Sequence, residues 1–190
     1  MRPEDSICLK RTRLPEDIET VGLEFIGAGS QGEVYRIDRN RCIKVYKSKK
    51  YFHRELANLK KGEGEPLIPE VFESGKYFII REYVNGLSLA AYFKKGGPMT
   101  AQLAIKLVDL LAALKRVGYR RLDMRLPHIY LTPAGTLKII DPTNVMNNKR
   151  TFPQKLLSGL ESYGVKETFL QHVRKIRPDL YLEWQRHLDD

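Results

Sequence analysis

Hydrophobic positions along this chain follow two periods, and each change of period marks an element boundary. An apolar run at residues 21–26 leads into a glycine-rich stretch, after which Glu33-Val34-Tyr35-Arg36-Ile37 alternates as a strand does. Asp38-Arg39-Asn40 turns the chain, and Arg41-Cys42-Ile43-Lys44-Val45-Tyr46 reads as the next strand. Phe52, Leu56 and Leu59 then fall at helical spacing. Residues 69–73 and 76–82 predict a second hairpin turning at Ser74-Gly75. Residues 87–93 predict a short helix stopped by Gly96-Gly97-Pro98. Thr100 can cap a longer helix, whose stripe of Leu103, Leu107, Leu110, Leu111 and Leu114 is core and whose end is Gly118. Ala134-Gly135 predicts a hairpin turn between short apolar strands. Three short helices follow at about 152–163, 166–176 and 178–188, with Leu156, Leu157, Leu160, Phe169, Leu170, Val173, Leu180, Tyr181 and Trp184 facing inward.

Composition narrows the class. At 190 residues and 42% hydrophobic, the chain suits one large domain or two small lobes with a real core. No apolar run is long enough to span a bilayer, and Met1-Arg2-Pro3-Glu4-Asp5 lacks the apolar core of a signal peptide. Cys8 and Cys42 are too few for a disulfide framework, so a reducing cytoplasm is expected. The formal charge of +10 favours polyanions, nucleotides and nucleic acid among them, but the basic residues are scattered and no nucleic-acid motif accompanies them. Residues 1–20 read as an arm.

Several residues carry candidate chemistry. Gly27, Gly29, Gly32 and Val34 fit G-x-G-x-x-G-x-V. Dinucleotide-binding folds use the same glycine spacing but open a helix after the third glycine, whereas here a strand follows. Glycine lets backbone amides approach a phosphate where a Cβ would collide. Lys44 has apolar strand neighbours that half-bury its stem, and Glu55 adjoins the apolar face of the helix downstream. Asp123 and Asp141 stand at the ends of short apolar strands, an arrangement that suits two carboxylates facing one cleft.

In this order, these motifs and the hinge-like Arg81-Glu82-Tyr83-Val84-Asn85-Gly86 resemble the protein-kinase superfamily over about residues 21–144, and its compact microbial and Rio-type members in the shortened end. The resemblance implies an α+β, two-lobed fold: an N-lobe and hinge over 21–86, with a small antiparallel sheet and one helix, then a reduced helical C-lobe over 87–190. It implies ATP and magnesium. Gly27, Gly29, Gly32 and Val34 would cover the phosphates, and Lys44, held by Glu55, would orient them. The backbone of Glu82 and Val84 would face the adenine edge. Asp141 would hold the ion, Asp123 would deprotonate the acceptor hydroxyl, and Arg125 would neutralise the transferred group.

The chain departs from the family at several points. His128 stands where kinases carry a metal-binding Asn. Its imidazole suits manganese or zinc better than magnesium, or it hydrogen-bonds Asp123, or it marks a site that binds without turnover. Arg81 occupies the back of the base pocket, where kinases usually have an apolar or small residue. Arg121-Leu122-Asp123 replaces His-Arg-Asp, and Asp141-Pro142-Thr143 replaces Asp-Phe-Gly. No Ala-Pro-Glu follows, and residues 142–190 leave no room for the usual activation segment. Two functions are therefore expected to compete. One is an ATP-dependent phosphotransferase of the serine/threonine-kinase kind, acting on a protein or a small hydroxyl compound. The other is a catalytically weak pseudokinase serving as a nucleotide-responsive binding module.

Overall fold

The computed structural model describes residues 22–119, 123–141 and 152–188. The expected arm at 1–20 and the residues Arg121, Leu122, Pro142 and Thr143 lie outside them. Five antiparallel strands form the first sheet: β1 (Glu24–Ala28), β2 (Gly32–Arg36), β3 (Arg41–Tyr46), β4 (Val71–Gly75) and β5 (Phe78–Glu82), in the order β1-β2-β3-β5-β4. A helix, α1 (Lys49–Lys61), crosses from β3 to β4. Then come β6 (Leu87–Ser88), α2 (Leu89–Lys94), α3 (Ala101–Arg116), a 3-10 turn at Leu126–His128, β7 (Ile129–Leu131) and β8 (Leu137–Ile139). The last three helices are α4 (Gln154–Ser162), α5 (Lys166–Ile176) and α6 (Pro178–Gln185). The fold is thus α+β, with an antiparallel sheet first and mostly helices after, compatible with a kinase-like fold.

Local chemistry sets these elements. Between β2 and β3 the Asp38 carboxylate accepts the backbone N–H groups of Asn40 (2.8 Å) and Arg41 (2.9 Å), an Asx turn that closes the hairpin. Those hydrogen bonds, with the one from the Arg41 side chain, hold its pKa below the usual carboxylate range. The Ser48 hydroxyl caps α1 by accepting from Tyr51 N, and the Thr100 hydroxyl caps α3 by accepting from Leu103 N at 3.1 Å. The α3 stripe is buried throughout and packs on α5, in one core with Leu156, Leu157 and Leu160 of α4 and Phe169, Leu170 and Val173 of α5. Phe169 and Trp184 stack at 6.1 Å beneath them. Burying a side chain of this size stabilises by about 1.5–3 kcal/mol. Tyr46, Phe52, Leu59 and Ile79 join the same core, so α1 and one face of the first sheet share one apolar interior with the helices.

Two expectations change. Residues 87–93 do not form a helix throughout: Leu87 and Ser88 pair with Leu131 and Tyr130 as a strand, and the helix begins at Leu89, with the Ser88 hydroxyl accepting from Ala91 N. The turn between β4 and β5 falls at Lys76-Tyr77 rather than Ser74-Gly75. Gly75 is needed in the strand, because a Cβ there would lie 2.2 Å from the Phe78 ring, and Tyr77 takes the left-handed backbone instead, at φ 69°.

Two glycines fix where backbones meet. A Cβ on Gly32 would lie 2.0 Å from the Val45 carbonyl oxygen. Gly86 has φ 133°, and a Cβ there would lie 2.2 Å from the Leu131 carbonyl oxygen. At Gly29, by contrast, a Cβ would meet open space. Gly32→Ala should therefore destabilise by about 2 kcal/mol, lowering the thermal midpoint by roughly 4–8 °C. Gly29→Ala should leave the midpoint nearly unchanged. Equal midpoints for the two variants would contradict the close approach at Gly32.

Candidate functional site

Six buried polar or charged residues stand out among the described residues: Glu33, Lys44, Glu55, Asn58, Arg81 and Asp123. Ionisable groups are seldom buried without a reason, and three of these, Lys44, Arg81 and Asp123, line one cleft of about 780 Å³. The first sheet forms one side of the cleft and the β7–β8 region forms the other.

The first strands supply its glycine-rich edge. β1 and β2 pair antiparallel with a bulge between Phe25 and Gly27, and Gly27, Gly29, Gly32 and Val34 line the cleft. Gly29 N–H donates to the Gly32 carbonyl at 2.9 Å, closing the turn. Strand alternation then puts Cys42 and Lys44 of β3 on the same cleft-facing side.

Lys44 reaches back to α1. Its ammonium donates to Glu55 Oε2, and both side chains are buried, Glu55 completely. Helical spacing from Phe52 to Glu55 to Leu59 turns this glutamate into the protein with the apolar face. Beside the pair, the buried Tyr46 phenol is pushed well above its usual pKa, first by burial and then by the charge of Glu55. Burial also pushes up the Cys42 thiol, against the opposing effect of Arg81.

Across the cleft, the 3-10 turn carries the second set of groups. Asp123, Arg125, His128 and Asp141 all line it. His128 N–H donates to the Arg125 carbonyl at 2.9 Å, and Ile140 N–H donates to the His128 carbonyl at 2.8 Å, so the chain segments bearing His128 and Asp141 lie side by side. Asp141 adopts φ 54°, a left-handed conformation that Asp tolerates better than most residues. Asp123 is 5% exposed, and its carboxylate accepts the backbone N–H of Lys155 in the first turn of α4, where the helix dipole favours a negative charge.

Glu55 and Glu82 do not line the cleft. Glu55 sits behind Lys44. Glu82 sends its side chain to Lys138 of β8 at 2.5 Å, and its carbonyl lies 3.7 Å from the Cys42 sulfur. Its neighbours Tyr83 and Val84 do line the cleft.

The donors on offer are a carboxylate and an imidazole. Among the described residues no three His, Cys, Asp or Glu side chains gather to hold a metal, and the cleft offers the Asp141 carboxylate with the His128 imidazole nearby. Magnesium is commonly bound this way, through one or two carboxylates together with substrate phosphates.

Sequence reasoning missed Cys42, Tyr130 and Lys155 as lining residues. Cys42 and Tyr130 were signalled by strand alternation, each lying two residues from a predicted site residue. Lys155 carried no such signal, because its contact with Asp123 is long-range.

No family model matches the chain. It is 26% identical, over 124 residues, to the protein named "Putative serine/threonine-protein kinase YrzF" of Bacillus subtilis (strain 168). The match covers 63% of this chain and 58% of that relative, so the chain spans little more than half the relative's length. Among the described residues no helix is long and apolar enough to cross a membrane. The likeness to this relative is partial, and it points to a kinase-like superfamily and no finer.

Proposed function

We propose that this chain is a two-lobed, ATP-dependent phosphotransferase of the protein-kinase type, with an N-lobe and hinge over 21–86 and a reduced C-lobe over 87–190, passing a phosphoryl group to a serine or threonine hydroxyl or to a small hydroxyl compound. One observation carries the reading: the glycine turn, the Glu55-paired Lys44, Asp123 and Asp141 come from four separate stretches, and the turn, Lys44 and both aspartates meet in one cleft. A surface hairpin with incidental carboxylates gives no reason for that meeting.

In this reading the Gly27–Gly32 backbone covers the phosphates. Lys44, fixed by Glu55, orients them. Asp141, with His128, holds a divalent ion, which neutralises phosphate charge when bound. Asp123 takes the proton of the acceptor hydroxyl. The acceptor oxygen forms the new bond to the γ-phosphorus as the bridging bond to the β-phosphate breaks, and ADP departs with that electron pair. Arg125, exposed at the cleft, balances charge on the transferred group. Little covalent chemistry is asked of the protein beyond positioning and charge.

A second reading, a weak or inactive nucleotide-responsive module, draws on one contact. Asp123 is buried, and its carboxylate is engaged by Lys155 N–H rather than left open to an acceptor hydroxyl at that oxygen.

Three outcomes test the proposal. ATP with magnesium or manganese should raise the thermal midpoint, as any ligand specific to the native state does, and Lys44→Ala should shrink that shift. An unchanged melting curve at millimolar nucleotide would remove the site assignment. Asp123→Asn should keep the nucleotide-induced shift while turnover falls by about 100-fold or more, the scale of general-base assistance. Wild-type turnover in that variant would move the base elsewhere. His128→Ala should shift the metal titration to higher concentration, and curves that overlap those of the wild type would rule out a ligand role.

A further inference from the structure

Arg81 is a second buried cation in the cleft, beside Lys44. It sits near the end of β5, opposite Cys42 of β3, and lines the cleft while only 5% exposed. Its Nε is fully buried without a hydrogen-bond partner. Among the described residues the guanidinium makes neither a hydrogen bond nor an ion pair. Burial by itself would lower the pKa of this group, and the charges around it, the Glu55 and Asp141 carboxylates among them, raise it. A buried guanidinium nitrogen without a partner is costly, and an acceptor supplied at the cleft is one way to meet the cost.

The position selects which part of a ligand that is. Arg81 immediately precedes residues 82–84, the stretch against which the base edge of a nucleotide would lie, and its cross-strand partner Cys42 lines the cleft beside it. Tyr130 lines the same cleft from β7. A guanidinium only donates. Adenine presents a donor amino group at its 6-position, which would set donor against donor. Guanine and hypoxanthine present the acceptors O6 and N7 on that edge, the pair that arginine engages in two parallel hydrogen bonds.

We propose that Arg81 reads the 6-position of the bound purine and turns the cleft toward 6-oxopurine nucleotides, guanosine triphosphate ahead of ATP. The inference rests on the cleft being a nucleoside-triphosphate site, and it adds the base preference. With a 6-oxo group in place the guanidinium gains an acceptor. With a 6-amino group it gains none, and the desolvation of both donors counts against binding.

Calorimetric titration of the whole chain with GTP, ITP and ATP, each with magnesium, tests this. ITP keeps the 6-oxo group and lacks the 2-amino group, so it isolates the contact in question. GTP and ITP should both bind about tenfold or more tighter than ATP. Arg81→Met keeps the length of the side chain and removes its donors, so it should erase that preference, with most of the change coming from weaker GTP and ITP. If Arg81→Met does not fold, Arg81→Gln serves, since its amide oxygen can accept from the 6-amino group and should favour ATP. ATP binding as tightly as GTP and ITP in the wild type would overturn the base preference while leaving the phosphotransferase reading intact. A preference that survives both substitutions would also overturn it. Binding of none of the three would defeat the nucleotide reading and this inference together.

Discussion

The buried ion pair between Lys44 and Glu55 is the constraint on which the cleft depends. Taking both charges out of water is expensive, and a well-packed apolar pair at such positions is often as stable or more so. The contact exists only because β3 and α1 present their charged residues at one place: Lys44 on the cleft side of the strand, Glu55 on the buried face of the helix. The Ser48 cap fixes where the helix begins, and its apolar residues Phe52 and Leu59 fix which face is inside. Once formed, the pair ties the first sheet to its helix and holds an ammonium at the mouth of a glycine-rich turn.

The remaining geometry follows from close backbone approaches. Gly32 lets β2 press onto the Val45 carbonyl, and Gly86 lets the segment after β5 press onto Leu131. The Ile140–His128 hydrogen bond lays Asp141 along the 3-10 turn, and Lys138 draws β8 toward Glu82. Each contact joins residues distant in sequence, and together they bring four polar stretches to one space. Arg81 stands inside that space with its Nε buried and without a hydrogen-bond partner, so the cleft holds an unsatisfied group beside satisfied ones.

Much of this architecture was legible in the sequence where one period ruled. The α3 stripe and its Thr100 cap, the alternation in β2 and β3, and the helical face carrying Glu55 all followed from spacing. Reasoning failed where pairing was too short or too distant to leave a pattern. Leu87 and Ser88 form a strand of two residues, visible only through their partners Leu131 and Tyr130. Ser74-Gly75 looked like a turn because glycine usually marks one, whereas Gly75 is there to make room for the Phe78 ring. The meeting of Asp123 with α4 had no local signal at all. The roles of individual side chains were carried by resemblance, and the structure adds where those side chains stand.

The most direct test of the account separates what the Lys44–Glu55 pair does for folding from what it does for ligand. Chemical denaturation and nucleotide-induced thermal shift should be measured for Lys44→Met, Glu55→Leu and the double variant. Each single change leaves a buried charge without its partner and should cost about 3–5 kcal/mol. The double variant should recover much of that stability, because an apolar pair packs without the desolvation cost. The account predicts that it folds well and yet shows little or no shift with nucleotide and divalent ion. A double variant that regains its stability and keeps the full wild-type shift would contradict it, reducing the pair to a structural contact.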